Sequence, residues 1–181
     1  MKTICNKHSV NLYEQDNILL IDLDITNDKL DLKKYCSFNF FDTLQIMNKN
    51  LIESCELIEQ HSEYENTHLL ILKSFNEDLG LPKHYICFNT VIEHCNNKVT
   101  TFTSKSVDIP EEHRERVKNY ELLSFNISDI YLYFSDNLHH VNIRYKFQFD
   151  KFDTFPQFVQ RLISLTIKQL YINLKIFIES I

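Results

Sequence analysis

The chain has 181 residues, 44% hydrophobic and 24% charged, enough for one sizeable core and too apolar for a disordered or fibrous protein. A formal net charge of −6 leaves no basic excess for gripping phosphates, so nucleic acid is not an expected partner. The single glycine, Gly80, excludes sites that need two glycines close together: the dinucleotide-binding turn, the Walker P-loop and the nucleophile elbow.

Five cysteines form an odd set with no C-x-x-C pair, which points to reduced thiols rather than a disulfide framework or a zinc knuckle. The opening residues Met1 to His8 are too polar for a secretory h-region. Together these features predict a cytoplasmic protein.

In chain order, Val10 to Tyr13 and Ile18 to Ile25 read as two strands joined near Gln15-Asp16-Asn17, with Asp22 and Asp24 alternating against Ile21, Leu23 and Ile25. Phe40, Phe41, Leu44 and Met47 recur at helical spacing and predict a helix from about Phe38 to Lys49. Six β-rich runs follow: Leu51 to His61, Asn66 to Phe75, Lys83 to Cys95, Lys98 to Val107, Tyr120 to Ser135 and Leu138 to Phe149. Their short connections imply an antiparallel meander, with Asn96-Asn97 and Asp136-Asn137 as the clearest turns. In the last run Val141, Ile143, Tyr145, Phe147 and Phe149 share one face, and Asn142, Arg144, Lys146 and Gln148 the other. The charge-dense stretch Asp108 to Asn119, opened by Pro110, reads as a solvated loop.

From Pro156 to Ser180 no further proline or glycine interrupts, and Asp153-Thr154 ahead of Pro156 supply capping residues. The predicted helix would run roughly 37 Å. Leu162, Ile163, Ile167, Leu170, Leu174, Phe177 and Ile178 mark its apolar side, and Arg161, Gln160, Lys168, Lys175 and Glu179 a polar one. Lys168, Gln169, Asn173 and Lys175 leave no apolar run of the roughly 18 residues a membrane span needs. With no repeat or linker in evidence, residues 1–181 are expected to form one α+β domain.

Several stretches resemble START domains, the lipid-transfer family with the helix-grip fold. Met47-Asn48-Lys49-Asn50-Leu51 through Ile58 is similar to the family's W-D-x-x-V-x-x-x-x-V-L region, with Met47-Asn48 in place of Trp-Asp. Leu81-Pro82-Lys83-His84-Tyr85-Ile86-Cys87-Phe88 resembles its S-P-R-D-F-V opening, with Lys83 and His84 in place of Arg and Asp. Thr103 to Pro110 resembles the S-V-x-x-P stretch, and the tail resembles the P-x-x-(F/L)-V-x-x-x-(I/L) closing helix. The resemblance covers nearly the whole chain, which would be a version short at the N-terminus. It implies a START-like helix-grip fold, with a curved antiparallel sheet wrapped around the long C-terminal helix and an apolar cavity between them. The implied activity is binding or transfer of one lipid, a phospholipid favoured over a sterol, with no chemical step and no cofactor other than the lipid itself. A monomer in transient contact with membrane surfaces completes that expectation.

Phe88, Phe102, Tyr145, Phe147, Leu170 and Leu174 are the expected cavity lining, joined by Tyr85, Leu162, Ile163, Ile167 and Phe177. A buried headgroup needs hydrogen bonds, for which Lys83, Thr101, Thr166 and Asn173 are the candidates; Thr166 and Asn173 lie seven apart and share a helix face. His139-His140 point to opposite faces of a strand and cannot jointly hold one metal ion, so none is expected. Two other readings stay open on the same frame: an enzyme using His84 or Tyr85, and an interaction module with a filled core.

Overall fold

Period-two alternation produces the first hairpin, and the burial follows it. In the computed structural model, which describes residues 2–36, 39–74, 80, 82–150 and 154–181, β2 (Val10–Gln15) and β3 (Ile18–Thr26) pair antiparallel. Val10, Leu12, Leu19, Ile21, Leu23 and Ile25 are all at most 2% exposed. Asp16 and Asn17 between them both take positive φ, 53° and 62°, the two-residue turn whose twist matches paired strands. Ahead of them β1 (Lys2–Lys7), which the sequence reading missed, pairs with β2 across His8 and Ser9, also at positive φ.

Asp31 caps a one-turn helix, α1 (Leu32–Tyr35), by accepting from the backbone N–H groups of Lys33 and Lys34. The helix expected from Phe38 to Lys49 is α2 (Asn39–Met47). The meander consists of β4 (Ile52–Ser62), β5 (Glu65–Leu72), β6 (His84–Asn96), β7 (Val99–Ser106), β9 (Phe125–Phe134) and β10 (His140–Phe149). The run expected as one strand from Tyr120 is broken: Glu121–Leu122 form a short β8 that pairs parallel with the start of β6. Because β10 also pairs with β3, hairpin and meander join in one sheet of order β1-β2-β3-β10-β9-β7-β6-β5-β4.

The charged stretch expected as a loop contains α3 (Glu111–Val117). Pro110 precedes its first residue, Glu111 and Glu112 fall in the first turn and Arg114 and Arg116 in the last, which is the charge order the helix dipole favours. Val117 anchors it in a small cluster with Leu69, Ile71 and Cys87 on the outer face of the sheet, and Arg116 pairs with Glu56 of β4.

The closing element, α4 (Gln157–Ser180), has Pro156 at its N-cap without a side-chain cap bond. The N-cap position is thus held by Pro156 itself, and Asp153 lies outside the described residues. Its C-terminal half is fastened to the end of β3: Asn27 Nδ2 donates to Ile178 O at 2.6 Å, Thr26 N donates to Glu179 Oε1 at 3.2 Å, and Lys175 Nζ reaches both Glu179 and the Asp24 carbonyl. Ile163, Ile172, Leu174 and Ile178 pack into the main core together with Ile21, Ile143 and Phe147.

The cavity beneath the last helix as candidate functional site

Strand parity decides which side chains face α4. On β10 the odd residues Tyr145, Phe147 and Phe149 turn inward, and register places Tyr145 opposite Ile130 and Phe147 opposite Ser128 on β9. Ile86 and Phe88 of β6, Leu70 and Leu72 of β5 and Ser104 of β7 continue the same wall. Above it stand Ile163, Thr166, Ile167, Leu170 and Tyr171 of the first half of α4, with Leu44, Leu51 and Ile52 at one side. The cavity has a volume of about 140 Å³.

A latch between the two helices borders this space. Asn173 Nδ2 donates to Asn48 Oδ1 at 2.7 Å, while Asn48 Nδ2 donates to Leu44 O at 2.7 Å and to Leu170 O at 3.4 Å. Gln169 Nε2 in turn donates to Asn173 Oδ1 at 2.7 Å. Asn48 is fully buried. The end of α2 and the middle of α4 are thus tied by amides in a place where unmade hydrogen bonds are costly.

The lining is apolar with a few hydroxyls. Ser104 Oγ and Thr90 Oγ1 share a hydrogen bond of 2.7 Å, and Ser128 Oγ and Tyr145 OH one of 3.3 Å. Tyr145 and Tyr171 stack obliquely with ring centroids 5.2 Å apart. Burial pushes the Tyr145 phenol far above its ordinary value against a smaller opposing pull from Ser128, and burial does the same to Tyr171. Among the described lining residues Lys73, just after β5, is the one cation.

Of the residues expected from sequence, Phe88, Tyr145, Phe147, Ile163, Thr166, Ile167 and Leu170 line this cavity. The other eight do not. Lys83 is on the surface, paired with Glu53 at 2.6 Å and lying over the Tyr120 ring. Tyr85 packs under α3 on the opposite face of the sheet. Thr101 sits one residue from the inward Phe102 and approaches Cys95 Sγ at 3.9 Å. Phe102 is 1% exposed within filled core. Leu162 is only half-buried, at a helix position beside the cavity-facing Ile163. Leu174 and Phe177 belong to the core under the second half of α4, and Asn173 serves the latch.

Sequence reasoning missed Ser128, Ile130 and Tyr171. Alternation with Leu132 and Phe134, and the i+4 spacing from Ile167, were the signals that pointed to them. The adjacent histidines part as expected: His139 Nδ1 meets the carbonyls of Asn27 and Leu30, and His140 Nε2 meets Asp24. No cluster of three or more metal-ligating side chains exists among the described residues, and none of their helices is long and apolar enough to cross a membrane.

No family model and no curated protein matches the sequence. Solved structures match nearly the whole of it. The human StAR-related lipid transfer protein 5 is similar over 96% of this chain and 84% of its own, with a TM-score of 0.71 at 10% identity. The lipid transfer and protein localization domain of human StarD13 is similar over 95% and 87%, with a TM-score of 0.69 at 9% identity. A STAR-related lipid transfer protein fragment from Xanthomonas axonopodis is similar over 98% and 97%, with a TM-score of 0.66 at 9% identity. Identities this low carry the shape of the chain and leave its ligand open. A large antiparallel sheet packed on a 24-residue C-terminal helix with an apolar cavity between them is the α+β helix-grip fold of the START domains, and that is the fold of this chain.

Proposed function

We propose that this protein binds one lipid in the cavity beneath α4 and carries it between membranes or presents it, with no chemical step. The observation behind the reading is the mainly apolar space of about 140 Å³ left between sheet and helix. Each methylene moved there from water is favourable by about 0.8 kcal/mol. Eight of them contribute about 6 kcal/mol, enough to offset much of the cost of ordering a chain. The names of the similar human proteins, which include lipid transfer, agree with this reading.

In this reading the ligand is a phospholipid in preference to a sterol, and the protein is a cytoplasmic monomer that meets membranes transiently. Support for a phosphate comes from Lys73, with Ser74 beside it and Thr166 across on α4. The present volume lies below the roughly 300 Å³ where ordinary ligand pockets begin, so a two-chain lipid enters only if the helices part. His84 and Tyr85, the polar groups named for the enzyme alternative, do not line the cavity. Native mass spectrometry of gently purified protein is expected to show one co-bound lipid per chain. Protein that carries none, and that moves no labelled lipid between vesicles, would refute the proposal.

A further inference from the structure

The cavity wall carries hydroxyl hydrogens that the fold leaves unused. Ser104 is committed to Thr90 at 2.7 Å. The Ser128–Tyr145 pair likewise shares a single bond, longer at 3.3 Å, which engages one of its two hydroxyl hydrogens and leaves the other to point elsewhere. Tyr171 is 3% exposed and lines the same space, and among the described residues its hydroxyl has no hydrogen-bond partner. These three side chains come from β9, β10 and α4, so sheet and helix converge on one spot. One unpartnered hydroxyl beside one spare hydroxyl hydrogen marks a place that can take an acceptor.

Resting on the lipid reading above, we infer that Ser128, Tyr145 and Tyr171 form a subsite for an uncharged oxygen, a hydroxyl or a carbonyl, carried on the buried part of the lipid. A carbonyl accepts two hydrogen bonds and uses both spare donors; a hydroxyl accepts and donates. A carboxylate or phosphate fits poorly there. Ser128, Tyr145 and Tyr171 themselves bring no positive charge to it, and an ionised group taken from water without one is strongly disfavoured. Burial holds both phenols neutral and therefore donating across the physiological range.

The test uses the full chain freed of lipid, at pH 8, with three small probes read by calorimetry: octan-1-ol, octanoate and toluene, the last without oxygen. Octanol is expected to bind at least tenfold more tightly than octanoate. Tyr145→Phe and Tyr171→Phe are each expected to weaken octanol about fivefold, the order of one hydrogen bond, while leaving toluene within twofold. Ser128→Ala takes the place of a tyrosine variant that fails to fold, with the same expectation. Octanoate binding as tightly as octanol, or variants that hold octanol as the wild type does, would overturn the subsite. If wild type also takes up vesicle lipid, the lipid reading survives that result. Wild type that binds no probe and extracts no vesicle lipid would overturn both.

Discussion

Replacing Asn48 by leucine keeps a branched side chain of the same number of heavy atoms at a fully buried position and removes all of its side-chain hydrogen bonds. Two are short, to Asn173 and to the Leu44 carbonyl at 2.7 Å each, and one is long, to the Leu170 carbonyl at 3.4 Å. At about 1 kcal/mol per good bond, with a further kcal/mol or so for the Asn173 amide left without its acceptor, the loss is about 3 kcal/mol. For a chain of this length each kcal/mol moves the melting temperature by about 2–4 °C, so Asn48→Leu is expected to melt about 6–12 °C below wild type. Urea unfolding gives the free energy directly. The cycle with Asn173→Leu is expected to show a double variant less destabilised than the sum of the singles by about 1 kcal/mol or more, because the second substitution removes the stranded partner. A loss below about 1 kcal/mol for Asn48→Leu, or strict additivity, would refute the latch.

Lys168 offers the opposite perturbation, since it is 2% exposed and among the described residues its ammonium has no hydrogen-bond partner. Lys168→Met removes a buried, uncompensated charge, and its urea midpoint is expected to rise; a clear fall would show that the ammonium is better accommodated than its surroundings indicate. Burial holds His84 below the ordinary histidine value of 6.5, against a smaller opposing pull from Glu121. The unfolded chain therefore takes up its proton first as pH falls. Stability is expected to drop from pH 6.5 downward and to level off once the folded His84 also titrates. His84→Gln should flatten that part of a urea-midpoint profile, and an unchanged slope would contradict the assignment. Burial pushes the Cys36 thiol up to about 12 and raises that of Cys87, whereas Cys95 is exposed. Iodoacetamide at pH 8 is expected to label Cys95 well before Cys36 or Cys87 by peptide mass mapping, and early labelling of Cys36 would contradict its burial.

How much of this was legible in the sequence depended on which periodicity carried the information. Alternation along Val141 to Phe149 and the aliphatic positions of the first hairpin found the inner face, because one side of the sheet is dry and the other wet. The length of α4 followed from an uninterrupted apolar stripe. β1 escaped because an edge strand with Lys, Asn and Thr at most positions needs little apolar patterning, and α3 because Val117 is the one buried residue among its seven. Parity already contained two corrections. Tyr85 and Phe88 are three apart on a strand and Thr101 and Phe102 are adjacent, so neither pair can share a face of a regular strand. The extent of the cavity was not readable. Apolar spacing along α4 is the same over Ile163 to Tyr171, which cover empty space, as over Leu174 to Ile178, which cover solid core. The difference is set by the side chains rising from strands far away in sequence.

The most direct test of lipid binding in this cavity is uptake of labelled phospholipid from vesicles by wild type and by Ile167→Trp, which puts an indole into the space beneath α4. Wild type is expected to extract close to one lipid per chain, and the folded Ile167→Trp variant far less. Equal uptake by both would place the lipid elsewhere, and no uptake by wild type would contradict the proposal.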